Sequence, residues 1–352
     1  MIVDRYILRQ ITLPSLAAFF SLNLLFVVVQ LLKVAEVAVG VGMGVGDLVG
    51  LTVYFLPGFA VFTIPISVLC GVLLGFGRLT GDGELVAFAS AGISNLRLSH
   101  MPFLLGLVAV ALSFVTAAWL APWSTTALHR AFVDLSKRHV AYSLRPGRFF
   151  EEIPGVVLYP RAAAAGQDAF DGFMMYDRRP GRTRHLLVAR RARVGPGRGG
   201  NFLALELQDG QVHVRDKPRR LYSLASFASG EIGIDIERGI YDRTRFISPT
   251  ERLGLTGLAA AARDERLSER ERRVHLAAWH RRFAFPLAGL LFALLGCALG
   301  TSGRLPGRRR TLLASVIIVA GYYLSMRAGD AMSTKGWPVF LAAWMPDILV
   351  GA

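Results

Sequence analysis

The alternation of long apolar runs with short polar breaks is the first feature of the chain. Apolar stretches at Ile11–Leu32, Leu48–Phe76, Met101–Trp123, Phe283–Leu299, Leu312–Met326 and Trp337–Val350 are separated by segments carrying charge, Gly or Pro. Each of the first three is long enough, at helical rise, to cross a hydrocarbon core, and the three that close the chain read as further spans. The last contains Pro338, Pro346 and Asp347 and is the shortest-looking span. Pro57 and Pro65 predict kinks in the second, tolerated in a membrane where neighbouring helices re-satisfy freed carbonyls. Between the third and fourth runs the period changes from helical to alternating. Val156–Tyr159, Gly172–Tyr176, His185–Val194, Phe202–Leu207, Gln211–Arg215, Leu221–Phe227 and Glu231–Ile236 read as seven short strands, with a hairpin signal at Asp209–Gly210. The pattern therefore predicts an α-helical membrane protein with three spans on either side of an inserted all-β domain, sandwich or jelly-roll in type. The expected divisions are 1–123, 124–275 and 276–352, with Ala127–Ser143 extending the third span and Ser248-Pro249-Thr250-Glu251 starting a helix.

One polar segment stands apart. Gly77–Arg97, GRLTGDGELVAFASAGISNLR, separates the second and third spans. From Glu84 it reads as a surface helix, with Leu85, Phe88, Ala89, Gly92 and Ile93 on one apolar face. Asp82 is the expected N-cap and Thr80 the competing one, and Glu84 falls where the helix dipole favours a carboxylate. Such a helix can simply anchor at the interface, or it can dock a cytoplasmic partner that pushes on the spans.

Composition sharpens the class. With 53% hydrophobic residues the chain is too apolar for an ordinary soluble domain, while 40 Lys+Arg against 25 Asp+Glu give a net charge of +15. That combination suits polar surfaces facing anionic lipid or an acidic ligand. Nucleic acid is disfavoured, because the positive charge is mostly Arg scattered over the strand-rich region without a recognition motif. Cys70 and Cys297 both lie within apolar runs and imply no disulfide framework. The first run follows Arg5 and Arg9 and lacks a small-residue cleavage pattern, so it reads as a retained span. Charge in the short loops sets the expected orientation. Arg5, Arg9, Arg78, Arg97, Arg304, Arg308, Arg309 and Arg310 fall on the side of the N-terminus and only Lys335 on the other, which puts the N-terminus and Gly77–Arg97 in the cytoplasm and the β domain outside.

Motifs for chemistry are few. Gly195–Gly200 (GPGRGG) fits the dinucleotide pattern but is followed by strand-like sequence, so it reads as a hairpin loop. No phosphate-binding loop is present, so any ATP used would be hydrolysed by another subunit; no metal-ligand spacing and no cofactor are expected. Charges at the span ends carry more information. Lys33 closes the first span, Arg327 lies near the outer end of the fifth with Asp330 beyond it, and His280, Arg281 and Arg282 stand at the start of the fourth. A cation at a helix centre costs about 2.5–3.5 kcal/mol, less near the end. These residues either snorkel to the interface or form a basic ring for a lipid headgroup phosphate.

The segments DRYILRQ (Asp4–Gln10), GRLTGDGELVAFASAGIS (Gly77–Ser94), HRRFAFPLAGLLFALLG (His280–Gly296) and GWPVFLAAWMPDIL (Gly336–Leu349) resemble the LptF/LptG permeases of the lipopolysaccharide exporter. Gly147–Tyr159 leans towards the LptF type, whereas Ala277–Ala278 departs from the acidic residue expected before His-Arg-Arg. The resemblance implies a transport subunit rather than an enzyme. It would form a heterodimer with a second such permease over a cytoplasmic LptB-type ATPase dimer, with an LptC-type protein attached, in the bacterial inner membrane. It would extract lipopolysaccharide and pass it to a periplasmic β-jelly-roll bridge. Under that resemblance residues 82–95 are the coupling helix, with Asp82, Glu84, Leu85, Phe88, Ala89 and Ile93 at the ATPase and Lys33, Arg281, Arg282 and Arg327 at the headgroup. The competing readings are an exporter of another anionic lipid, a membrane-embedded lipid-modifying enzyme, and an adaptor that only recruits periplasmic partners.

Overall fold

A computed structural model describes residues 2–41, 44–151, 155–164, 169–178, 184–196, 202–216, 221–235, 249–302 and 308–351. They divide into two compact units. The first comprises residues 1–30, 52–127 and 248–352, the second residues 31–51 and 128–247.

The helices follow the apolar runs closely. Helix α1 (Ile2–Val41) continues through Pro14. The second expected span is divided into α2 (Val45–Val53) and α3 (Leu56–Gly81), with Pro57 in the first turn of α3. Proline is accommodated there because its missing N–H would have no partner in a first turn anyway. Two short helices, α4 (Glu84–Ser90) and α5 (Asn95–Leu98), lead to α6 (His100–Val115). A π-helical turn over Thr116–Leu120 joins α6 to α7 (Ala121–Ser143), so the third span continues as expected. After the β region come α8 (Pro249–Arg252), α9 (Leu255–Arg263), α10 (Glu269–Thr301), α11 (Arg308–Thr334) and α12 (Val339–Gly351). Among the described residues five helical stretches are long and apolar enough to span a membrane, and α12 is a shorter apolar helix.

Within the first unit α10 is the central helix and packs on α3, α6 and α12. Lipid tails are as apolar as leucine, so these helices are held by close van der Waals approach at small residues rather than by hydrophobic exclusion. Gly71 and Gly75 of α3 show how close: a Cβ on Gly71 would lie 1.8 Å from Ser15 Oγ, and one on Gly75 would lie 2.8 Å from the Gln10 carbonyl of α1. Gly300 of α10 has no room either, because Phe76 Cβ would be 2.4 Å away. Polar links reinforce the contacts, with Asn23 Nδ2 donating to Thr63 Oγ1 (2.8 Å) between α1 and α3. Ile7, Ile11, Val72, Phe76, Leu79 and Leu98 form the buried cluster below the segment that joins α3 to α6.

The second unit contains one antiparallel sheet in the order β1-β2-β3-β4-β5. Its strands are Val156–Ala163, Ala169–Asp177, Arg184–Pro196, Phe202–Asp216 and Leu221–Asp235. Seven expected strands are therefore five. The Asp209–Gly210 signal is a crease inside β4, not a hairpin: Asp209 takes φ +50°, yet Gly210 stays paired with Ala189 and Phe227. The Phe227 ring lies over Gly210, where a side chain would collide with it at 2.3 Å, so β5 also runs through without a turn. The described strands form a single antiparallel sheet. Pro196 pairs with Leu203 across β3 and β4, while Gly197–Gly200 and Ile236 lie outside the described residues.

Candidate functional site

The polar segment between α3 and α6 is built by three local devices. Asp82 does not cap α4: its φ/ψ of −84°/−1° are helical, its N–H bonds the Arg78 carbonyl, and the Gly83 N–H bonds that of Thr80, which closes α3. Its carboxylate faces Arg78 Nε at 3.5 Å, one turn back, with both groups exposed. The N-cap position falls on Gly83 instead, whose left-handed φ of +75° turns the chain between α3 and α4 and is open to glycine at no steric cost. Thr80 lies inside α3, and its hydroxyl is within donating distance of the carbonyls of Phe76 (2.9 Å) and Gly300 (2.8 Å), the second of which joins the ends of α3 and α10.

The expected helix is shorter than 82–95. It stops at Ser90, where Gly92 (φ +76°) turns it off: Gly92 N–H bonds the Ala89 carbonyl and Ile93 N–H bonds that of Phe88. This paired closure is the Schellman arrangement, which brings the residue after the glycine back over the last turn. Ser94 then caps α5 by accepting from Arg97 N–H.

These turns reassign the apolar face. Leu85, Phe88 and Ile93 are half-buried and pack on the chain's own core beside Phe76, Leu79 and Leu98. Ala89 is exposed, contrary to the face read from helical spacing, although it lies inside α4. The outward apolar positions are Val86, 74% exposed, and Leu96, 84% exposed. Glu84 is half-buried, and the Tyr6 hydroxyl of α1 reaches both its carboxylate oxygens, at 2.8 and 2.7 Å. Asp4 and Arg97 approach to 3.9 Å beside it.

At the other end of the first unit, Arg281 of α10 forms an ion pair with Asp330 of α11. Arg327 stands 3.8 Å from the same carboxylate, donates to Tyr323 Oη at 2.9 Å and lies over the Tyr323 ring at 5.2 Å. Its side chain is 63% exposed against 27% for Arg281. Arg282 is turned to the carbonyls of Glu251 and Leu253, so it closes the α8–α9 turn. Arg273 likewise donates to the carbonyls of Ser333 and Trp337. Trp279, His280, Phe283, Phe340 and Trp344 form an aromatic cluster at this level, as expected near a membrane–water boundary. Arg281, Asp330 and Arg327 are brought together within the first unit, whereas Lys33 is exposed and belongs to the second.

Sequence reading missed the partners of these charges. Tyr6, Tyr323 and Tyr322 are polar tips on apolar helices, which is the signal that could have marked them. Tyr322 donates to Asp347 Oδ1 at 3.2 Å, and that aspartate is buried inside the helix bundle.

Five apolar helices and a shorter sixth, interrupted by a five-stranded antiparallel sheet, define a multi-span membrane protein with an inserted β domain. Its family follows from a match to the family model "Lipopolysaccharide export system permease LptF/LptG" over residues 5–352; the chain belongs to that family. It is also similar to proteins named lipopolysaccharide export system permease protein LptF from Escherichia coli K12, Escherichia coli O157:H7 and Shigella flexneri. Each is 24% identical over 188 residues, which is 53% of this chain and 51% of the relative. The chain thus spans about half the length of the curated relatives it matches. The family is one of export permeases rather than enzymes.

Proposed function

We propose that the chain is the permease subunit of an ATP-driven exporter that takes lipopolysaccharide from the inner membrane and passes it to a periplasmic β-jelly-roll bridge. The observation that carries this reading is the family match over residues 5–352. Hydrolysis belongs to a separate LptB-type ATPase dimer, and a second LptF/LptG-type permease and an LptC-type protein complete the assembly. The N-terminus and the α3–α6 segment face the cytoplasm, and the β domain faces the periplasm, as the loop charges favour.

The α3–α6 segment suits the ATPase contact because it is short and stiff. Its inner side, Leu85, Phe88 and Ile93, is fixed on the core, which leaves Val86, Ala89 and the neighbouring Leu96 as the outward apolar surface. A push there reaches α3 and α6 through the chain, and α10 through Thr80 and Gly300. Headgroup binding is assigned to Arg327 in the first unit and, separately, to Lys33 in the second, both exposed; Arg281 and Arg282 instead serve the scaffold of the first unit. Affinity purification in mild detergent tests the proposal: an ATPase and a second six-span chain should accompany this one. A chain that purifies alone, with neither, would overturn it.

A further inference from the structure

Glu84 is the one carboxylate of α4, and the structure joins it to α1 before any partner is considered. The Tyr6 hydroxyl has a single proton and so donates to one oxygen at a time, but Oε1 and Oε2 stand almost equally close, at 2.8 and 2.7 Å. The carboxylate can rotate or tilt by a small angle and exchange one oxygen for the other without losing the bond. A hydrogen bond to an ionised acceptor is shorter and stronger than a neutral one. The Tyr6 ring rests on the buried cluster, so the hydroxyl is presented from a fixed base. Asp4 of α1 and Arg97 of α5 add a second, looser attachment at 3.9 Å between α1 and the same surface segment.

Below these contacts α1 has no slack. Ile7 and Ile11 are fully buried, and the backbone of Gln10–Ser15 lies against Gly71 and Gly75 so closely that no side chain fits. Sequence alone suggests that the segment acts on the two spans it connects. The geometry adds a third, because Tyr6 is 78 residues from Glu84 and reaches it only through the fold.

We propose that Tyr6 is a positioning residue for energy coupling: its hydroxyl fastens the surface segment to α1 through Glu84, so that displacement of the segment moves the first span together with the second and third. The inference rests on the reading of this segment as the ATPase-contacting one. Glu84 then has two roles on its two sides, an attachment to α1 inward and a charge presented to a cationic side chain of the ATPase outward.

A double-mutant cycle with Tyr6→Phe and Glu84→Ala tests it. Tyr6→Phe removes the hydroxyl and keeps the ring packing. Complexes are purified with their ATPase and reconstituted with lipopolysaccharide in proteoliposomes. ATPase retention, ATP hydrolysis and lipopolysaccharide delivered per ATP are then measured. In the wild-type background Tyr6→Phe should keep the ATPase and its hydrolysis rate, and lower delivery per ATP about five- to tenfold, the scale of one charge-assisted hydrogen bond. In the Glu84→Ala background it should add nothing further, because the two residues act as a unit. Normal delivery by Tyr6→Phe overturns the inference, as does an equal loss in both backgrounds. Loss of ATPase retention or of thermal stability in Tyr6→Phe also overturns it, since the tyrosine would then only hold the fold. If the wild-type chain brings down no ATPase, the functional reading fails and the inference falls with it; that control tells the two failures apart.

Discussion

Arg281 and Arg327 share one carboxylate, Asp330, but from different surroundings. Arg281 is largely enclosed between α10 and α11, whereas Arg327 lies along Tyr323 with most of its side chain in contact with solvent or lipid. Removing the enclosed partner strands a charge, which costs about 1–3 kcal/mol or more, whereas an exposed pair contributes roughly 0–1 kcal/mol. Arg281→Gln should therefore lower the melting temperature of the detergent-purified protein while Arg327→Gln leaves it nearly unchanged. Photocrosslinking to lipopolysaccharide should show the reverse order, with Arg327→Gln and Lys33→Glu reducing it and assembly intact. Equal crosslinking in both variants would mean that the two exposed cations only reach for the interface.

At the scale of elements, α4 shows how a face can be misread when a helix is too short. Spacing places Leu85, Phe88, Ala89 and Ile93 on one side only if the helix runs unbroken, and the Gly92 closure ends it at Ser90. The Schellman turn sends Ile93 back over Phe88 and onto the core, while Val86 and Ala89 stay outside. Two substitutions separate the sides. Val86→Asp should weaken ATPase co-purification several-fold and leave the permease's melting temperature within a degree or two, since an exposed site away from special features changes stability by about 0.5 kcal/mol or less. Phe88→Ala should lower the melting temperature first, and loosen the ATPase only as a consequence. If Phe88→Ala detaches the ATPase with no loss of stability, the inner face is the docking face after all.

For the whole molecule the prediction concerns which side of the membrane each part occupies. Arginine in the short loops argues for a cytoplasmic α3–α6 segment and an external β domain, because translocating short basic loops is disfavoured while long domains cross regardless of charge. In a background with Cys70 and Cys297 replaced by serine, Gly81→Cys, Gly199→Cys and Gly307→Cys can be probed with an impermeant thiol reagent in intact cells permeable at the outer membrane. Only the cysteine at position 199 should react. Labelling at 81 or 307 would invert the orientation and remove the ATPase contact from the α3–α6 segment.

The sequence by itself determined the architecture. Apolar runs of bilayer length separated by charged breaks leave few alternatives in a membrane, where every backbone group must be satisfied within a helix or a closed sheet. Alternating residues from Val156 onwards likewise required strands, since a period of two cannot bury one face of a helix. Tertiary structure alone decided which side chains meet. Tyr6 and Glu84 are 78 residues apart, and Thr80 and Gly300 are 220 apart; no local period connects them. It also decided that Arg282 serves backbone carbonyls, that Asp82 ends one helix rather than starting the next, and that the crease at Asp209 continues a strand instead of turning it. Periodicity reports the side of an element facing a packed interior; the neighbour filling that interior, and the few polar groups it must satisfy, depend on how separate elements approach, which is a property of the assembled fold.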